Sequence, residues 1–219
     1  LAGDALLALA GEVLLEAPGQ GSADAARALA GATRRLISGQ ALDMEFETHH
    51  RRVGLDECMT MAADKTGALL ACSCSIGAVL DGASERLTSA LEAFGADLGI
   101  AFQLTDDLLG IWGDPSTTGK PALSDLRCRK MSLPVVAALN SDAPEAARLA
   151  ELDALPETSE EDLAETAALV EAAGGRAWAE MEAERRVQRA AEHLVTAGIP
   201  EPVRADFLHI ADFVTGRDH

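Results

Sequence analysis

Apolar residues recur at helical spacing along most of the chain, broken by Gly and Pro. The pattern predicts a helix over 1–17, stopped at Pro18-Gly19, and a second with Ser22 as N-cap that runs through Ala25, Leu29, Ala32, Leu36 and Ile37. The period resumes at Leu55 and passes through Cys58, Met61, Ala62 and Lys65-Thr66-Gly67 to Leu80, with Gly82 ending it. A longer apolar helix opens at Ser84, carries Gly95 and Gly99 four apart for close helix packing, and closes at Gly113-Asp114-Pro115. The stretch 113–129 has no apolar period and many turn residues, an uncommon arrangement in a compact domain and often a functional one. Helices are then expected near 132–140, 144–152, 159–173, 176–197 and 201–215. Glu160-Glu161-Asp162 follows Ser159 in a first turn, where carboxylates complement the helix dipole.

One place breaks the pattern. Gln103, Asp106, Asp107 and Gly110 fall at i, i+3, i+4 and i+7, so a single stripe of the Ser84 helix carries an amide, two carboxylates and a bare backbone position. Carboxylates on an apolar helix are costly to bury unless something positive neutralises them, and a hard divalent cation such as Mg²⁺ would do so. The alternative is a surface pair that caps a bend before Gly113. Lys65 and Thr66, followed by Gly67, put a charge and a hydroxyl where a helix can kink and its backbone can be approached, a place that suits phosphate. Lys65 could instead snorkel to the surface beside Asp64. Gln40 and Asp43 share a helix face, with Gly39 allowing close approach, while the polar run 45–52 reads as a solvated helix end.

Length and composition narrow these readings. With 219 residues and 48% hydrophobic content, the chain can bury one large core, so a single domain over 1–219 is expected. It begins in mid-helix at Leu1 without a cap, which leads us to expect further residues upstream. No uninterrupted apolar run of membrane-spanning length and no secretory leader pattern is found, so a soluble, cytoplasmic protein is expected. Cys72 and Cys74 point about 200° apart on a helix, which argues for small buried thiols rather than a zinc site. A net charge of -18 with 3% aromatics argues against nucleic-acid binding. The same acidity requires that a phosphate ester be met through bound cations and a few placed lysines. Lys120, Arg127, Arg129 and Lys130, with Asp125 among them, follow directly after the carboxylate stripe and meet that demand.

The ordered set Gly3-Asp4-Ala5-Leu6, Gly39-Gln40-Ala41-Leu42-Asp43, Lys65-Thr66-Gly67, Phe102-Gln103-Leu104-Thr105-Asp106-Asp107, Thr118-Gly119-Lys120, Asp125 and Lys130 resembles the trans-polyprenyl diphosphate synthases. The resemblance implies an all-α, isoprenoid-synthase-type helical bundle around a central cavity, and it spans essentially the whole chain. It implies an Mg²⁺-dependent prenyltransferase that condenses an allylic diphosphate with isopentenyl diphosphate, 1'-4 and head to tail, to farnesyl or geranylgeranyl diphosphate. By the same resemblance Lys65, Thr66, Gln103, Asp106 and Lys120 are catalytic. Gln40, Asp43, Lys65, Lys120 and Lys130 bind substrate, and Asp106, Asp107 and Asp125 serve the metal. The family is typically homodimeric. Two departures stand out: Gly110 occupies the place of the second motif's last aspartate, and the family's first aspartate-rich motif would lie upstream of Gly3-Asp4, so the chain reads as the carboxy-terminal two thirds of a longer domain. A non-catalytic or partner subunit is therefore the alternative. A terpene cyclase fits less well, because such enzymes steer carbocations with aromatic rings.

Overall fold

A computed structural model describes residues 1–18, 21–49, 52–119, 121–155 and 157–216; helices joined by short turns make up the fold, with no strand among the described residues. The long elements are α1 (Ala2–Glu16), α2 (Ser22–His49), α3 (Leu55–Ala62), α4 (Ala68–Leu80) and α5 (Glu85–Trp112). Two single-turn helices, α6 (Pro115–Thr118) and α7 (Ser124–Arg127), precede α8 (Leu133–Leu139), α9 (Glu145–Asp153), α10 (Glu160–Ala172), α11 (Gly175–Thr196) and α12 (Glu201–Thr215).

Helix α5 is the axis of the bundle. Ser84 caps it, its hydroxyl accepting from the Leu87 N–H, and fifteen of its 28 residues are buried. It packs against α4 on one side and α11 on another, with α8 and α12 completing the shell. The Gly95/Gly99 pair explains the closeness of α4: a Cβ on Gly95 would meet the Leu70 carbonyl oxygen at 2.5 Å, and one on Gly99 would meet the Gly67 Cα at 2.5 Å. On the α12 side Phe94 and Phe207 stack edge to face at 5.2 Å and 78°, a contact worth about 0.5–1.5 kcal/mol beyond its buried area.

The kink expected at Lys65-Thr66-Gly67 is a π-helical turn, Ala63–Gly67, which joins α3 to α4 without a break. Such one-residue insertions widen a helix locally and are frequent at functional sites. Its backbone is hemmed in from both sides, since a Cβ on Gly39 of α2 would lie 2.3 Å from the Lys65 nitrogen. The combined run Leu55–Leu80 is 26 residues long and apolar enough to cross a membrane by length and composition, which the uninterrupted-run criterion passed over. Its packing against α2 and α5 is that of a bundle helix.

Three expectations need correction. The stretch 113–129 is not structureless: Asp114 caps α6 by accepting from the Ser116 N–H, Gly119 at φ 68° ends it, and α7 follows after Leu123. The polar run 45–52 does hold the end of α2, at His49, with Glu45, Glu47, Thr48 and Arg52 exposed, but Phe46 inside it is 1% exposed, in one core cluster with Val53. Of the two thiols expected to be buried, Cys72 is and Cys74 is only half-buried, while Cys128 elsewhere is exposed. Elsewhere Glu160, Glu161 and Asp162 do fall in the first turn of α10, and Ser159 and Asp162 go further and exchange bonds as a capping box.

Candidate functional site

A polar thread crosses the apolar bundle and joins residues far apart in the chain. Asp43 of α2, 4% exposed, is ion-paired with Lys65 of the π turn. Lys65 does not turn to its neighbour Asp64, which pairs instead with Arg35 at 2.7 Å. Thr66, the next residue, reaches the other way and donates its hydroxyl to Gln103 Oε1 of α5 at 2.6 Å. Gln103 Nε2 donates to Asp107 Oδ1 at 2.9 Å. Lys130 Nζ lies 2.7 Å from the same Asp107 oxygen and 3.0 Å from Asp125 Oδ2. The Leu133 N–H, opening α8, donates to Asp107 Oδ2 at 2.9 Å. Consecutive residues of the π turn thus serve two different helices, α2 and α5.

Each end of this thread fixes the next. Asp107 is 2% exposed, and burial pushes its carboxyl pKa up, while Lys130, the Leu133 amide and Gln103 pull it down. All three partners are donors, so the ionised carboxylate is the form this geometry fits. An accepting carboxylate in turn sets the Gln103 amide, with its NH₂ towards Asp107 and its carbonyl oxygen towards Thr66. Burial works against the Lys130 ammonium, but Asp107 and Asp125 outweigh it and push its pKa up, so Lys130 is held charged.

The other expected residues are distributed differently. Asp106 is half-buried and makes no hydrogen bond or ion pair among the described residues. Gln40 is exposed on α2 although Asp43, three residues on, is buried, so the two do not share one environment. Lys120 lies outside the described residues. The positive segment is divided: Lys130 turns inward, Arg127 pairs with Glu160 on the surface, and Arg129 at φ 54° donates to Thr158 at 3.1 Å. Arg129 also lines a cavity of about 800 Å³ with Arg52, Met131, Leu139, Ala146 and Ala150, and that cavity touches none of Asp106, Lys65 and Thr66.

Among the described residues no three His, Cys, Asp or Glu side chains converge as a metal cage. Asp107 has both oxygens occupied by protein donors, and Asp125 shares one with Lys130. Asp106 alone is uncommitted. That donor set suits Mg²⁺ only in its usual nucleotide-like mode, in which one or two carboxylates hold the ion and substrate phosphates and water complete its shell.

Sequence reasoning missed several polar groups. The Leu133 N–H and the Ser124 hydroxyl, which donates to the Gly110 carbonyl at 3.2 Å, carried no motif. Ser132 is 1% exposed and its Oγ lacks a partner among the described residues. Asp97 of α5, 4% exposed, is clasped by Arg186 at 2.9 Å, His193 at 3.0 Å and Arg189 at 3.5 Å, all from α11. Two residues from both Gly95 and Gly99, Asp97 points to the opposite side of α5 from the α4 contact, and no spacing in the sequence links it to its α11 partners.

Comparison with known proteins gives a consistent picture. The family model described as Polyprenyl synthetase matches residues 1–171. The chain is 45% identical to the (2E,6E)-farnesyl diphosphate synthase of Mycobacterium tuberculosis over 99% of this chain and 61% of that protein. It is 42% identical to the geranylgeranyl diphosphate synthase of the same organism, over 84% of this chain and 51% of that one. It therefore spans about 61% of the length of the farnesyl diphosphate synthase it matches. Among solved structures, the polyprenyl synthetase of Streptomyces coelicolor superposes with a TM-score of 0.89 at 51% identity, covering 97% of this chain and 64% of that one. The geranylgeranyl pyrophosphate synthase of Corynebacterium glutamicum, complexed with isoprenyl diphosphate and magnesium, gives 0.82 at 34% identity, covering 92% and 57%.

Proposed function

Since the chain belongs to the polyprenyl synthetase family, we propose that it condenses an allylic diphosphate with isopentenyl diphosphate to give farnesyl or geranylgeranyl diphosphate. The observation that carries this reading is the polar thread from Asp43 to Asp125, with one uncommitted carboxylate, Asp106, on the same helix as Gln103 and Asp107.

In the proposed reaction the C1–O bond of the allylic diphosphate breaks and its electron pair leaves with the diphosphate. The isopentenyl double bond attacks C1, a carbon–carbon bond forms, and a proton is lost to restore the double bond. Negative charge grows on the departing diphosphate, so cations fixed beside it stabilise the transition state more than the ground state. Lys65, Lys120 and Lys130 are the ammonium groups proposed for that task. Lys65 and Lys130 are already held by carboxylates, which costs no reorganisation when the ligand arrives. Thr66 Oγ1 and Gln103 Oε1 are proposed to face the reacting carbon, where neutral oxygens stabilise a cation without capturing it. Gln40 and Asp43 are proposed at the substrate's margin.

Magnesium, when bound, supplies charge neutralisation of the diphosphate. Asp106 is the proposed protein ligand, and Asp107 and Asp125 act behind it by orienting Lys130. The proposed assembly is a cytoplasmic homodimer. The second reading, a partner subunit without turnover, is favoured by one observation: only Asp106 of the three aspartates is free of protein donors.

The test is direct. Full-length protein given Mg²⁺, isopentenyl diphosphate and each allylic primer in turn should yield an all-trans diphosphate one or more isoprene units longer. Binding of Mg²⁺ plus diphosphate with no product from any primer would favour the partner subunit. A hydrocarbon or alcohol formed without isopentenyl diphosphate would overturn both readings.

A further inference from the structure

Gly110 is in ordinary helical conformation, so its backbone does not demand glycine. The space beside it is already filled by another side chain. A Cβ built there would lie 2.3 Å from Cγ, 2.4 Å from Oδ2 and 2.5 Å from Oδ1 of Asp125, so the carboxylate of Asp125 occupies the volume in which a residue-110 side chain would begin. The segment that brings it there is tied to α5 at two further points: the Ser124 hydroxyl donates to the Gly110 carbonyl at 3.2 Å, and the Leu123 N–H to the Ile111 carbonyl at 3.3 Å. Two non-glycine residues with left-handed backbone, Leu123 at φ 59° and Arg129 at φ 54°, bracket α7. Such residues persist only where surrounding contacts over-determine them. Residue 110 is also one helical turn beyond Asp106 on the same face.

We infer that Gly110 is a positioning residue: its bare backbone admits the Asp125 carboxylate from α7 onto the Asp106 face of α5, and that carboxylate, with Asp107, fixes where the Lys130 ammonium points. The stripe of α5 thus gains a carboxylate from another segment at the place where its own sequence lacks one. A side chain at 110 would expel Asp125 and leave Lys130 anchored by Asp107 alone. The ligand half of this inference rests on the proposed role of Lys130 as a diphosphate contact.

The test is a swap in the full-length chain, read first without ligand. Gly110→Asp should lower the urea midpoint by crowding a second carboxylate into the same volume, and Asp125→Gly should lower it by stripping Lys130 of a partner. The double variant G110D/D125G, which moves the carboxylate from α7 to α5, should recover most of both losses. Losses that simply add would overturn the placement. The second readout is the thermal shift on adding Mg²⁺ with inorganic diphosphate. It should be lost in each single variant and restored in the double. It should stay absent in G110A/D125A, which relieves the crowding but carries no carboxylate. A wild-type shift in G110A/D125A would overturn the positioning role. No shift in the wild type, with midpoints still recovering in the swap, would instead overturn the diphosphate reading and leave the placement standing.

Discussion

Helix α5 buries two carboxylates ten residues apart, and they are neutralised in opposite styles. Asp97 meets Arg186, Arg189 and His193, which all come from one helix, α11, and Arg186 is itself held by Glu182 at 2.7 Å. Asp107 meets an ammonium from the loop before α8, an amide from its own helix and a backbone N–H, and its thread continues into α7, the π turn and α2. The first arrangement joins two helices and ends there. The second gathers elements from across the chain around a lysine that stays charged. The two buried acids of one greasy helix thus differ in the reach of their networks, and we propose that reach as the mark of the functional one.

The largest effect expected from breaking this contrast is at Lys130. Lys130→Met leaves Asp107 buried without its cation, which costs about 3–5 kcal/mol of stability in urea unfolding and should remove turnover as well. Arg186→Met is the matched change at the clasp. Asp97 keeps His193 and Arg189, so the loss should be smaller, about 1–3 kcal/mol, and kcat of the folded fraction should be unchanged. Equal losses of kcat in the two variants would erase the distinction.

Next in size is Gln103→Leu, which removes one donor from Asp107 and strands the Thr66 hydroxyl, for about 1–3 kcal/mol in unfolding and a fall in kcat. The pH dependence sharpens the point further. The folded-state pKa of Lys130 is raised above its ordinary 10.5, so the stability it contributes is fully present below that value and is lost as pH climbs beyond it. Urea midpoints across the alkaline range should fall in the wild type and lack that component in Lys130→Met. The smallest stability effect belongs to Asp106→Ala, within about 0.5 kcal/mol because no described partner is lost, yet turnover should disappear. Near-normal turnover in Asp106→Ala would sink the assignment of this face.

Much of the fold could be read in advance because its determinants are local. Ser84 caps α5, Gly95 and Gly99 admit α4, and Pro and Gly mark the breaks between the later helices. Lys65-Thr66-Gly67 could be flagged as a distortion, though its π geometry could not, since nothing in the residues counts the extra one. Partner choice was the blind spot. Lys65 selects Asp43, 22 residues back, over the adjacent Asp64, and Lys130 selects Asp107, 23 residues back, because packing decides which acid is desolvated and spacing does not. Arg127 and Arg129 looked like companions of Lys130 in the sequence, but single-turn helices and a left-handed residue send the three in different directions. Asp97 escaped notice altogether, its partners lying about ninety residues downstream.

The wide turn at Ala63–Gly67 works as a phase shifter. Upstream of it, Cys58, Met61 and Ala62 face the Met131–Leu133 side of the core, and downstream Ala71 and Cys72 are turned inward towards α5. Excising one residue there would rotate one half against the other by about 100°. A greasy flank would swing into water and Lys65 and Thr66 would lose their separate partners, although every core side chain had been left untouched.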